Sequence, residues 1–319
     1  MNILVLGGGG VLGQKLAADL ARAGALRGRP VTRLILADIV DPAPVKAPFP
    51  VATTVCDIAD PASVATTIAA DTDVIYLLAA IVSSHAEEDF DAGMRINLFG
   101  TFNVLERCRA LGTRPVVVFT SSIAVYGGEA CDPLGDHSYP NPQTSYGGQK
   151  AIGEILVNDY TRKGFIDGRA FRLPTISVRP GKPNRAASGF MSSIFREPLN
   201  GQRATCPVDP DFPHYYLSPR RCVANLIKGA ELDAADLGQN RVMQMPGRTW
   251  TIRQMIDAMT AVAGPGPAQL IDWTPQPEVQ RIVSGWRWDI NADKAARLGL
   301  TADDSFEDNI RHYLTDDRP

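Results

Sequence analysis

Three glycines at a fixed spacing, Gly7, Gly10 and Gly13, separate the apolar run Ile3–Leu6 from the amphipathic stretch Leu12–Ala23. A strand–loop–helix junction of this kind leaves little conformational freedom. The first glycine permits the tight turn, the second lets the backbone approach a ligand, and the third lets helix and strand touch. The helix that follows begins with unpaired N–H groups and the positive end of its dipole, which together suit a pyrophosphate. The junction predicts a dinucleotide site held by Gly7, Gly10, Val11, Leu12 and Gly13.

The first half of the chain repeats the same alternation. Short apolar runs rich in β-branched residues stand at Leu34–Leu36, Val51–Val55, Val74–Leu78 and Val116–Phe119, with helical stretches at Ala62–Ala70 and Leu98–Leu111. Continuous apolar runs suit strands buried on both faces, and strands alternating with helices imply a doubly wound parallel α/β sheet. A helix from Tyr146 towards Arg162 and a strand at Arg169–Leu173 extend the pattern. Beyond Pro174, residues 177–221 are rich in Pro, Arg, Ser and Gly and read as loops around short helices. Alternation returns with a helix at Val223–Leu232 and a strand at Arg241–Met245. A helix at Ile252–Val262, a proline-rich segment from Pro265 to Pro277 and a helix capped by Ser305 follow. The expected division is a nucleotide-binding domain over 1–176 and 218–246, and a smaller, discontinuous C-terminal substrate domain over 177–217 and 247–319.

Composition narrows the partners. The 319 residues carry 32 Lys and Arg against 35 Asp and Glu, for a net charge of −3, and are 45% apolar. That balance excludes a disordered chain and lacks the basic excess of a nucleic-acid binder. The apolar run Val74–Val82 falls far short of the roughly 20 residues that span a bilayer. The opening Met-Asn-Ile-Leu-Val-Leu has no basic leader region. The five cysteines are scattered, without a Cys-x-x-Cys or Cys/His cluster, so neither a disulfide framework nor a metal site is expected. The expectation is a cytoplasmic protein whose partner is a small molecule.

Asp38 ends the apolar run that starts at Leu34, and no basic residue follows it directly. A carboxylate there accepts hydrogen bonds from ribose hydroxyls and repels a 2′-phosphate, which favours NAD over NADP. Asp57, at the end of the third run, is placed to meet the adenine amino group. Further along, Tyr146-Gly-Gly-Gln-Lys150 sets a phenol and an ammonium four residues apart, on one face of a helix start. A neighbouring cation moves a phenol down from its ordinary value of about 10, as a general base requires. Upstream, Phe119-Thr-Ser-Ser-Ile-Ala-Val-Tyr-Gly127 brings hydroxyls to the carboxyl edge of the sheet, where folds of this kind bind ligands.

Together these motifs resemble the extended short-chain dehydrogenase/reductase superfamily, also called the NAD-dependent epimerase/dehydratase family, over most of the chain. The resemblance implies a Rossmann domain binding NAD, with hydride moving between a substrate carbon and the nicotinamide. It implies a proton relay through Ser122, Tyr146 and Lys150, and favours Ser122 over Ser121 because of the stretch ending in Val-Tyr-Gly. It implies that Ile58 joins Asp57 in the cofactor site, that Leu78-Ala79-Ala80 lines the cofactor, and that Asn97 braces the site. Pro174 and Thr175 would touch the nicotinamide end. A homodimer through the helices near 91–111 and 146–162 is implied in the same way.

Within the family, dehydratases carry an Asp-Glu pair just after the catalytic hydroxyl, where this chain has Ile123 and Ala124. The loops Arg179–Phe190 and His214–Arg220 are similar instead to dehydrogenases that oxidise the 2-hydroxyl of a four-carbon sugar acid such as D-erythronate. A nucleotide-sugar epimerase remains the alternative, and a non-catalytic dinucleotide sensor a third. A hydroxy acid brings a carboxylate, which Arg grips bidentately. Arg185 and Arg220 are the candidates, with Lys182 behind them, while Ser83, Ser84, His85 and Ser188 could reach substrate hydroxyls alongside Ser122 and Tyr146.

Overall fold

The computed structural model describes residues 1–129, 132–181 and 189–318. Strand β1 (Asn2–Leu6) leads through the glycine loop into α1 (Val11–Ala23), and a small hairpin at residues 25–30 precedes β2 (Arg33–Asp38) and β3 (Val51–Val55). Then follow α2 (Pro61–Thr67), β4 (Val74–Leu77), a π-helical turn (Met94–Phe99) continuing into α3 (Gly100–Leu111), β5 (Val116–Ser122), α4 (Ser145–Arg162) and β6 (Asp167–Leu173). The second half holds β7 (Thr175–Ile176), α5 (Phe190–Leu199), β8 (Ala204–Cys206), β9 (Pro213–Leu217), α6 (Pro219–Glu231) and β10 (Val242–Gln244). After these come β11 (Arg248–Thr251), α7 (Ile252–Ala263), β12 (Ile271–Trp273) and α8 (Phe306–Asp316).

Seven strands form one parallel sheet in the order β10-β6-β5-β4-β1-β2-β3. This is the expected doubly wound Rossmann arrangement. The order reverses between β1 and β4, and ligands of such sheets bind at the crevice this reversal opens. Both faces of the sheet are covered. Ile3, Val5, Leu34 and Val118 join the cluster under α1 and α6, while Leu4, Leu6, Ile75 and Phe119 join the opposite cluster with Val104 of α3 and Val157 of α4. Successive residues of β1 thus point to opposite cores, as strand geometry requires, which explains the absence of polar alternation in the sequence.

A third apolar cluster forms apart from the sheet. Met191, Ile194 and Phe195 of α5 meet Met255 and Met259 of α7 and Phe306, Ile310 and Tyr313 of α8. Strand β9 pairs antiparallel with β11 and parallel with β7, and β8 pairs with β12. Ala295 and Leu300, which lie between β12 and α8 in the chain, pack instead into the cluster under the large sheet. No helix among the described residues is long and apolar enough to cross a membrane.

Candidate active site

A cavity of about 320 Å³ opens at the carboxyl ends of β1, β4 and β5, with a wall contributed by the second half of the chain. Its floor is the glycine loop. The Gly7 and Gly8 N–H groups both donate to the Ala37 carbonyl (2.8 and 3.0 Å), which folds the loop back against β2. Gly7 has φ +91°, and a Cβ there would lie 2.7 Å from the Ala79 backbone nitrogen. No side chain caps the start of α1, so its first N–H groups are left for a ligand. The Asp38 carboxylate accepts the Gly9 N–H at 2.9 Å, which places an acid beside the loop. These features fit a dinucleotide: free N–H groups for the pyrophosphate, no side chain in the cradle, and an acid at the ribose end.

The other expected cofactor residues divide into those that line the cavity and those behind it. Gly7, Gly10, Leu12, Gly13, Leu78, Ala80, Pro174 and Thr175 line it; Val11 and Ala79 do not. Asp57 stands outside, its carboxylate accepting the Ala59 N–H and lying 3.9 Å from Arg95. Ile58 is buried and packs against Gly100 at the start of α3. Asn97 is buried within the π-helical turn, where an extra residue per turn re-aims side chains. Its side chain accepts the Ile81 N–H (2.9 Å) and donates to the Ile81 carbonyl (3.3 Å) and to Gln149 of α4 (2.9 Å). It therefore clamps the lining segment Ile81–Val82 to the helix that carries Tyr146.

Helix α4 starts where Thr144 accepts the Gly147 N–H at 3.1 Å, and this cap holds Tyr146 at the mouth of the helix with Lys150 one turn on. Ser122 ends β5, and Ser122, Tyr146 and Lys150 all face the cavity. The Lys150 ammonium donates to the Thr120 carbonyl (2.8 Å), lies 4.8 Å from the Phe119 ring centroid and 5.7 Å from that of Tyr146. Burial pulls Lys150 down to about 8, partly offset by Glu154. Tyr146 departs from the expectation. Burial pushes its phenol up to about 12, and the groups that oppose the rise are the hydrogen-bonded Ser122 hydroxyl and the Arg179 charge rather than Lys150.

Ser121 has a different environment. Its hydroxyl donates to Glu154 at 2.5 Å, and Glu154 also takes a two-pronged ion pair from Arg172 (2.8 and 2.7 Å). Arg172 and Gln244 both reach the Tyr126 hydroxyl, so this buried network braces β5, α4, β6 and β10 beneath the site.

The substrate residues expected from sequence fare unevenly. Ser83 lines the cavity. Ser84 and His85 line a neighbouring depression with Glu88 and Asp89. Lys182, Arg185 and Ser188 lie outside the described residues. Arg220 is corrected: it faces Asp316 of α8 in a paired contact (3.0 and 2.5 Å), is not among the lining residues, and so has its anion already. Among the lining residues that received no role from the sequence are Arg179, His214, Trp286 and Arg287. His214 shares a 2.7 Å hydrogen bond between Nε2 and the Thr175 hydroxyl, and its burial lowers it to about 3, so it stays neutral at physiological pH. Its presence in the loop His214–Arg220, singled out above, was the available signal. Among the described residues, no group of His, Cys, Asp or Glu is arranged to hold a metal ion.

The fold and this site define the class. The NAD dependent epimerase/dehydratase family matches residues 3–210, and the chain belongs to that family. Among curated proteins it is similar to the D-erythronate dehydrogenase of Cupriavidus necator, 48% identical over 99% of this chain and 98% of the relative. It is also similar to the D-erythronate dehydrogenase of Haemophilus influenzae, 40% identical over 98% of this chain and 99% of that one. Among solved structures it is similar to a nucleoside-diphosphate-sugar epimerase from Agrobacterium tumefaciens. That match has a TM-score of 0.95 and 44% identity, and covers 99% of this chain and 94% of the other. The chain is an NAD-dependent dehydrogenase.

Proposed function

We propose that this enzyme oxidises the 2-hydroxyl of a short sugar acid, D-erythronate or a close relative, to the 2-oxo acid. The observation that carries the reading is the cavity itself. It joins Ser122, Tyr146 and Lys150 to two further cations, Arg179 and Arg287, and no Asp or Glu is among its described lining residues. A lining of this sign suits an anionic polyol. The names of the two curated relatives agree with it.

NAD, bound across the glycine loop with Asp38 at its ribose, supplies the hydride acceptor. The chain's own groups handle the proton. Ser122 orients the substrate oxygen, and Tyr146, as phenolate, accepts its proton. Lys150, an ammonium below pH about 8, stands 5.7 Å from the phenol ring and offers the charge that a developing phenolate needs. Ser83 would meet a remaining substrate hydroxyl, while Thr175, hydrogen-bonded to His214, would stand at the nicotinamide end. The division into a cofactor domain (1–176, 218–246) and a substrate domain (177–217, 247–319) belongs to the same reading. It is supported by the separate apolar cluster around α5, α7 and α8, with residues near Ala295 and Leu300 leaning on the first domain.

The similarity to the nucleoside-diphosphate-sugar epimerase of Agrobacterium tumefaciens favours a second reading, a nucleotide-sugar epimerase. One assay separates the two. With a panel of four- to six-carbon sugar acids and a set of nucleotide sugars, D-erythronate is expected to yield NADH, read by absorbance. NADH from no acid, with an isomerised nucleotide sugar, overturns the proposal.

We also propose a cytoplasmic homodimer. Phe99 at the end of the π-helical turn and Phe102 of α3, and Ile152 and Ile155 of α4, are exposed pairs each three residues apart; Ile155 is 64% exposed. Large apolar side chains grouped on two adjacent helices mark an interaction surface. Ile155→Glu is expected to shift the protein from dimer to monomer in sedimentation velocity. A wild-type protein that sediments as a monomer contradicts the assembly.

A further inference from the structure

We infer that Arg179 is the anchor for the substrate's carboxylate, and that by holding it beside Tyr146 it selects the hydroxyl next to the carboxylate for oxidation. This inference rests on the sugar-acid reading above and adds to it the residue that holds the carboxylate and so enforces that regiochemistry.

Among the described residues, three cations line the cavity, and two of them are engaged. Lys150 donates to the Thr120 carbonyl. Arg287 donates to the Asp132 carboxylate (3.0 Å) and the Gly128 carbonyl (2.5 Å). The Arg179 guanidinium makes no hydrogen bond or ion pair to any described residue, although its backbone is fixed on both sides. Its N–H donates to the Ser192 hydroxyl (3.2 Å), and its carbonyl accepts from Arg196 (3.0 Å). Arg196 has its own carboxylate, Glu197 at 2.6 Å. Burial and the nearby Arg196 charge both disfavour the charged form of Arg179. A guanidinium held in this position without a counter-ion among the described residues is costly unless a ligand supplies the anion.

The place of that anion follows from what shares the cavity. Arg179 comes just after the Pro174–Ile176 segment and is close enough to Tyr146 for its charge to favour the phenolate. In a 2-hydroxy acid the carboxylate is bonded directly to the carbinol carbon. One short substrate can therefore reach Arg179 with its carboxylate and Tyr146 with its 2-hydroxyl. In a 3-hydroxy acid the reacting oxygen is one carbon further from the carboxylate, so a carboxylate held in the same pose presents a different oxygen to Tyr146.

The test compares wild type, Arg179→Met and Arg179→Lys on D-erythronate and on its neutral amide, with NAD affinity measured by fluorescence titration. Arg179→Met is expected to lower kcat/KM for the acid by about 100-fold, the scale for truncating one partner of a close charge pair. The neutral amide should change by less than about threefold, and Arg179→Lys should recover part of the loss because charge returns without the fork. NAD affinity should be unchanged in both variants. Equal losses on acid and amide, loss of NAD binding in both variants, or an unchanged acid rate would each overturn the inference. If the wild type oxidises no sugar acid, the parent reading falls and this inference with it. If the wild type oxidises the acid and Arg179→Met does so equally well, only the inference falls.

Discussion

Replacing Tyr146 by Phe is expected to lower kcat on the order of 10³-fold, the contribution of a positioned acid–base group, while leaving NAD affinity at its wild-type value. The substitution removes one oxygen and keeps the ring. Lys150 retains its bond to Thr120 and its place near the Phe119 ring, and the glycine loop is untouched. The loss therefore reports on proton transfer rather than on packing. NADH absorbance gives the rate and fluorescence titration gives the NAD affinity. Turnover retained in Tyr146→Phe would remove the phenol from the mechanism.

The same residue sets the pH dependence. Oxidation of an alcohol needs Tyr146 as a phenolate to accept the hydroxyl proton, yet burial holds the phenol at about 12, so only a small fraction is phenolate at neutral pH, and that fraction grows as pH rises. Lys150 acts in the opposite sense. It loses its proton near pH 8, and in the proposed relay that removes a positive charge 5.7 Å from the phenol ring. The product of the two fractions rises with pH up to about 8 and then levels. The wild-type kcat/KM for oxidation should follow that curve, and the residual activity of Tyr146→Phe should lose the rising limb.

Much of the fold was legible because its signals are local. Ile3–Leu6 and Val116–Phe119 read as doubly buried strands since each neighbouring side chain enters a different core. The α4 start was legible through Tyr146 and Lys150, one turn apart. The hairpin at residues 25–30 left no such signal, because two-residue strands carry no period. The π-helical turn at Met94–Phe99 read as the approach to an ordinary helix, since one extra residue per turn hardly alters an apolar pattern. The substrate wall was the least legible part. Arg179, His214 and Trp286 come from three distant segments and meet only through the fold. Sequence could nominate arginines for a carboxylate but could not say which already had a partner. Arg220 meets Asp316, 96 residues away, and no local pattern announces that contact.

The second large effect is expected at Gly13. A Cβ built there lies 2.2 Å from the Gly7 carbonyl oxygen, 2.9 Å from the Gly8 Cα and 3.0 Å from the Gly7 carbonyl carbon. All three neighbours are backbone, so no rotamer change relieves the contact, and α1 must move away from the loop that follows β1. Overpacking typically costs about 1–3 kcal/mol, and a clash with fixed backbone belongs at the upper end. Gly13→Ala should therefore lose about 3 kcal/mol in equilibrium denaturation and most of its NAD affinity, because the displaced helix start is also the pyrophosphate cradle. Gly10→Ala serves as the control. Its Cβ meets only the Gly7 carbonyl oxygen, at 3.4 Å, so its stability should stay within about 1 kcal/mol of wild type. If Gly13→Ala unfolds at the wild-type denaturant concentration and binds NAD normally, helix and strand are not in contact through this glycine. The cradle would then have to be formed differently from the one described.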